Sequence, residues 1–106
     1  MPREKYQTLT EQMFYILLCL EEEQCGVDIM ARVAAMTEGR VAIGPGTLYS
    51  LLESFQREGF IRETKVEGRR RSYQITVRGQ LLLEEEAQRL EGQLRCYRTY
   101  GKEAQP

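Results

Sequence analysis

The chain has 106 residues, 42% hydrophobic and 29% charged, with no tryptophan and no histidine. That is one small domain of ordinary globular composition, which excludes a disordered chain and several independent domains. The formal charge of −1 argues against nucleic acid until its distribution is read: residues 57–79 carry seven basic residues against three acidic ones, and residues 1–56 carry four against eight.

A basic stretch on an acidic body suffices to attract phosphate, because charges beyond about 8 Å are largely screened at physiological salt. No apolar run has the length of a membrane span. The start, Met1-Pro2-Arg3-Glu4-Lys5, lacks the apolar core of a secretion signal, so a cytoplasmic protein is expected. Cys19, Cys25 and Cys96 form no Cys-x-x-Cys pair. Without histidine they make a poor metal-ligand set, and neither a metal nor a cofactor is expected.

Thr8 to Glu23 reads as a first helix. Thr8 and Glu11 have capping-box spacing, and Leu9, Met13, Ile16, Leu17 and Leu20 give a core face. Phe14 and Leu18 make the helix apolar on more than one side, so it is either deeply buried or touches a second chain. Gln24-Cys25-Gly26 is a break. Val27 to Thr37 reads as a second helix closed by Gly39, and Arg40 to Ile43 as a short extended link.

Gly44-Pro45-Gly46 opens a third helix at about Pro45, because the residue before a proline avoids helical angles. Leu48, Leu51, Leu52 and Phe55 form its apolar face. Gly46, Ser50, Glu53 and Arg57 form the opposite face, with Thr47 and Tyr49 on its flanks. Such a helix can pack on a domain and still enter a groove. Phe60–Val66 and Arg71–Thr76 read as two strands joined by Glu67-Gly68, with Arg69, Arg70 and Arg71 at or just after the tip.

The last helix, from Thr76 or Val77 to about Tyr100, repeats Leu83, Ala87, Leu90, Leu94 and Tyr97 at alternating steps of four and three. That is the seam of a helix packed along another helix. The second helix belongs either to another copy of the chain or to its own domain. Residues 101–106 form a polar tail.

Three helices followed by a two-stranded hairpin are the order of a winged helix-turn-helix. The expected fold is therefore α+β, mostly α. A winged helix spans residues 1–76, a dimerisation helix residues 77–100 and a flexible tail residues 101–106. Tyr49 and Ser50 are placed to reach a DNA groove, although Tyr49 equally suits packing on the second helix. Thr47 and the amides after Pro45 suit either a phosphate oxygen or plain capping. Arg57, Arg69, Arg70 and Arg71 complete the candidate DNA-binding set; a solvated loop is the alternative for the tip arginines. Leu9, Phe14, Leu83, Ala87, Leu90, Leu94 and Tyr97 are the candidate dimer surface. Glu53 fits the open face poorly. The runs Glu21–Glu23 and Glu84–Glu86 could suggest acid/base pairs but read more simply as the solvated sides of helices, and no catalytic motif is present.

Gly46-Thr47-Leu48-Tyr49, Leu52, Gly59 and Ile61, then Gly68-Arg69-Arg70-Arg71, Tyr73, Ile75-Thr76 and Gly79, resemble the PadR family of bacterial transcriptional regulators over residues 8 to 98. The single last helix is similar to the compact branch of that family. The resemblance implies a homodimeric repressor on a pseudo-palindromic operator, with the third helix in the major groove and the last helix pairing with the first. It also implies a possible small aromatic effector, phenolic or drug-like. The absence of tryptophan removes one kind of aromatic clamp and leaves Phe14, Tyr15, Tyr97 and Tyr100 as candidate lining. A winged-helix protein-interaction module is the alternative from another functional class.

Overall fold

A computed structural model of the chain describes residues 8–105. The first seven residues of the expected winged-helix unit, and Pro106 of the tail, lie outside the described residues. The elements run α1 (Glu11–Cys19), β1 (Gln24–Cys25), α2 (Gly26–Met36), α3 (Pro45–Glu58), β2 (Ile61–Glu67), β3 (Arg70–Ile75) and α4 (Val77–Tyr100). Four helices surround one three-stranded antiparallel sheet of order β1-β3-β2.

Helix α1 begins later than its sequence suggests. Thr10, not Thr8, is the N-cap, and its Oγ1 accepts from the Met13 amide at 3.2 Å. Glu11 does not reach back to complete a capping box. Arg40 donates to both of its carboxylate oxygens at 2.8 Å, which draws the side chain away from the helix start. The helix also ends early, at Cys19. A turn over Leu20–Glu22 then brings the chain into β1, where the sequence shows only a break. Gln24 pairs with Tyr73 and Cys25 with Ser72, so the wing has a third strand. Two residues are too few to show a period of their own, and β3 supplies the template.

Helix α2 closes as expected: Glu38 and Gly39 take φ of 53° and 80°, and the Gly39 amide donates to the Ala34 carbonyl at 2.7 Å. Val41 and Ile43 then alternate inward along the link. Helix α3 matches its predicted limits. Gly44 is the N-cap, Pro45 the first helical residue and Gly59 a left-handed C-cap at φ 82°. Leu48, Leu52 and Phe55 are buried beneath it against Ile16, Leu17, Ile29 and Val33.

The hairpin turns on Gly68 and Arg69, one residue beyond the expected pair. Gly68 has φ 63°, which a side chain resists and which suits the tight turn of a twisted hairpin. A bulge between Glu63 and Lys65 leaves Thr64 unpaired within the ladder.

Helix α4 starts under a Thr76 cap whose hydroxyl accepts from the Gly79 amide at 3.1 Å and donates to the Gly59 carbonyl at 2.7 Å. Gly79, Leu82, Leu83 and Glu86 face the protomer's own body and are buried. From Ala87 onward the helix runs clear of it. A 24-residue helix is about 36 Å long, and the radius of gyration, 15.7 Å, exceeds the roughly 13 Å of a compact chain of this size.

Candidate nucleic-acid interface

The open face of α3 is set by what its other face buries. With Leu48, Leu52 and Phe55 inside, Gly46, Thr47, Ser50, Glu53 and Arg57 stand in solvent. Thr47 lies in the first turn, and Gly44 as N-cap offers no side chain to that turn. Its amides therefore face outward, with the positive end of the helix dipole behind them. Arg57 lies in the last turn and makes no ion pair among the described residues.

Tyr49 fulfils both readings of its position. Its ring lies against the backbone of Gly26 at the start of α2, yet the residue remains 48% exposed. A cleft of about 430 Å³ runs between this flank and the wing, lined by Tyr49, Ser50, Glu53, Gln56, Arg71 and Tyr73. The open helix face and the wing thus share one surface. Glu53 sits in that cleft without an ion pair among the described residues, and nothing in the structure accounts for a carboxylate there.

The three wing arginines differ in their engagement. Arg69 occupies the turn and is exposed and without an ion pair among the described residues. Arg70 donates to the Cys25 sulfur at 3.5 Å, and the Cys25 thiol in turn faces Asp28 at 3.3 Å. Arg71 donates to Glu63 across the hairpin at 2.9 Å, and that hydrogen bond and charge raise its pKa further. All three line one groove with Tyr49 and Tyr73.

In the sequence Tyr73 stands within the return strand and among the residues of the family resemblance, with no site role of its own. Burial, and after it the Glu63 carboxylate, push its phenol above the usual tyrosine range, so it remains a donor at neutral pH. Tyr49 lines the same groove. The register of β1 brings Cys25 and Gly26 to the same place, which periodicity alone did not reveal.

The second surface lies on α1 and α4. Leu9 and Leu83, both expected at a dimer surface, belong to the protomer's own core at 8% and 6% exposure. Phe14 is half-buried and lines a groove of about 450 Å³ with Leu18, Val77, Leu81 and Ala87. Leu90, Leu94 and Tyr97 stand out along distal α4 at 42%, 44% and 67% exposure. Tyr15 makes an edge contact with Phe14, whereas Tyr100 lies exposed at the far end of the helix. The thiol of Cys19 is buried, which pushes its pKa up, and Cys96 is exposed.

The model of the transcriptional regulator PadR-like family matches residues 16–85, from within α1 to the first turns of α4. The chain belongs to this family. PadR-like proteins are transcriptional regulators, not enzymes. No curated protein matches the sequence. Among solved structures, the PadR-like chain is similar to a transcriptional regulator from Clostridium thermocellum, Cth-833. They share 22% identity over 87% of this chain and 93% of that one, with a TM-score of 0.73. It is also similar to H. salinarum RosR, at 21% identity over 92% and 83% of the two chains, with a TM-score of 0.63. A mutant of Lactococcus lactis ZitR matches at 21% identity over 92% of this chain and 64% of that one, with a TM-score of 0.66. At these identities the likeness is one of fold. No helix among the described residues is long and apolar enough to cross a membrane.

Proposed function

We propose that this PadR-like regulator is a cytoplasmic homodimeric repressor that binds a pseudo-palindromic DNA operator. The observation that carries the reading is the cleft shared by Ser50 on α3 and Arg71 on the wing, which joins a groove-sized helix to a cationic hairpin. Thr47, Tyr49, Ser50 and Arg57 meet the major groove and its phosphates, while Arg69, Arg70 and Arg71 meet the flanking backbone or minor groove.

The exposed Leu90, Leu94 and Tyr97 support a second copy along distal α4, with Phe14 and Ala87 at its edge. A two-fold then sets two α3 helices about 34 Å apart, one turn of DNA. Footprinting the protein on the region upstream of its own gene tests the reading. Two protected half-sites one turn apart are expected. Absence of any protected region, with capture of a protein partner instead, favours a protein-interaction module.

A second reading adds a small aromatic effector, phenolic or drug-like. The groove beside Phe14 and Leu81 supports it, because that groove is apolar and adjoins the proposed dimer seam. A planar dye that quenches tyrosine fluorescence and releases DNA is the expected result. Binding without release removes the inducing role.

A further inference from the structure

The ladder of the wing is bulged between Glu63 and Lys65. Glu63 pairs with Tyr73 and Val66 with Arg71, and Thr64 is the residue left over. Side chains alternate along a strand, so Glu63, Tyr73 and Arg71 lie on one face of the hairpin. Without the extra residue the same alternation sets Lys65 opposite Arg71, a destabilising pair of like charges. The bulge has a cost, because the Thr64 hydroxyl oxygen is buried and has no hydrogen-bond partner among the described residues. What it secures is that the charge β2 turns toward Arg71 is a carboxylate.

That carboxylate is used. Arg71 donates to Glu63 at 2.9 Å. The Glu63 side chain is 24% exposed and that of Arg71 61%, so the carboxylate is the anchored end of the pair and the guanidinium the open one. The other two wing arginines lack such a partner among the described residues: Arg69 makes no ion pair, and Arg70 meets the Cys25 sulfur. Arg71 also lines the cleft that faces Ser50, Glu53 and Gln56 on α3. A guanidinium has further N–H donors to give once one is taken. Arg71 therefore keeps donors and a fixed direction while its charge is offset.

We propose that Glu63 is a specificity-determining positioning residue for DNA binding: it holds Arg71 in the cleft beside α3 and offsets its charge, so that Arg71 engages an acceptor brought to it by a fitting groove and attracts phosphate weakly elsewhere. The inference rests on the DNA-binding reading and adds a residue from outside the basic set. Non-specific binding is carried by cations that displace counterions from the backbone, and a compensated arginine contributes little to it. Discrimination is the difference between the fitting and the general mode, and Glu63 widens it by weakening the general one. Arg69 supplies attraction to any duplex, and Arg71 supplies preference.

The test uses the full chain, fluorescence anisotropy over a salt series, a random-sequence duplex and the duplex protected in the footprint. Glu63→Gln keeps the shape and removes the charge. On the random duplex its affinity is expected to rise about threefold, and the slope of log affinity against log salt to steepen by about 0.9, one more neutralised phosphate. On the protected duplex the gain is expected to be smaller, since Arg71 is engaged there already. In an Arg71→Ala background the steepening is expected to vanish. Unchanged affinity and slope, an equal gain on both duplexes, or a steepening that persists without Arg71 each overturn the role of Glu63 and leave DNA binding standing. Failure of the wild-type chain to bind any duplex overturns the DNA-binding reading itself. Should Glu63→Gln not fold, single alanine variants decide on the random duplex. Arg69→Ala is expected to flatten the slope by about 0.9 and Arg71→Ala to leave it unchanged; equal flattening overturns the proposal.

Discussion

The Tyr49 ring rests on Gly26, so close that a Cβ on the glycine meets the tyrosine hydroxyl at 2.5 Å and its ring carbons at 2.9 Å. The first residue of α2 thereby decides where a side chain of α3 points. Gly26→Ala puts a methyl group into that contact, and the atoms in its way are the free end of an exposed side chain. Stability is expected to hold or rise slightly, by up to about 1 kcal/mol, because alanine suits a helix better than glycine. DNA affinity is expected to fall as Tyr49 swings out. Thermal melting and anisotropy on the same sample separate the two effects.

Gly79→Ala meets a different neighbour. A Cβ there stands 2.1 Å from the Phe60 carbonyl oxygen and 2.7 Å from Ile75, and the backbone cannot swing aside. A loss of about 3 kcal/mol in urea-unfolding stability is expected, at the upper end of overpacking effects. A variant as stable as the parent contradicts the close packing of α4 on the end of α3.

Arg69 and Arg70 test the wing. Replacing both by alanine is expected to weaken binding to all duplexes and to reduce the salt slope by about one to two, as fewer counterions are released. Unchanged anisotropy curves across a salt series contradict the assignment of the hairpin to DNA.

Leu90→Asp with Leu94→Asp tests distal α4. Each leucine buried between copies is worth about 1.5–3 kcal/mol, so the pair is expected to shift a dimer to monomer at micromolar concentration. Sedimentation equilibrium reads the result. The seam is wrong if the double variant sediments as the parent does.

The Glu11–Arg40 pair gives a pH effect of known sign. The Arg40 hydrogen bond, opposed by desolvation and helped by the Arg40 charge, holds the Glu11 carboxyl below its ordinary value of 4.5. A lowered folded-state pKa stabilises above the unfolded value and is lost as pH falls through the folded one. Arg40→Ala is therefore expected to return the Glu11 titration, followed by NMR, to the ordinary carboxylate range. Its melting temperature should differ from the parent's at pH 7 and converge on it in acid below that range. The pair is solvent-exposed, so the difference is small.

Most of the fold is legible in the chain. The limits of α3 follow from a proline at one end and a glycine at the other, and the start of α4 from Thr76. These are local devices, each readable within a few residues. What the sequence hides is non-local. β1 exists because β3 offers it a paired edge, and nothing in Gln24-Cys25 announces that. Thr8 and Thr10 are equally plausible caps until Arg40, twenty-nine residues on from Glu11, takes its carboxylate. The open face of α3 and the arginine tip were readable as surface. Tyr73 was not, because strand alternation marks its ring as core and is silent about the hydroxyl at the end of it. Leu83 is buried for a related reason: the heptad spacing continues through α4 although one side of its first turns, Gly79, Leu82, Leu83 and Glu86, already packs on the protomer's own core.

Thr76 accepts from Gly79 and donates to Gly59, while its amide donates to Phe60 at 3.0 Å and Arg78 spans to the Glu58 carbonyl at 3.0 Å. The end of α3, the root of the wing and the first turn of α4 are thus pinned at one pivot, with no linker between them to absorb a rotation. A helix about 36 Å long is a lever on such a pivot. Tilting its free end by a few degrees, by whatever settles along it, turns the open face of α3 through the same angle.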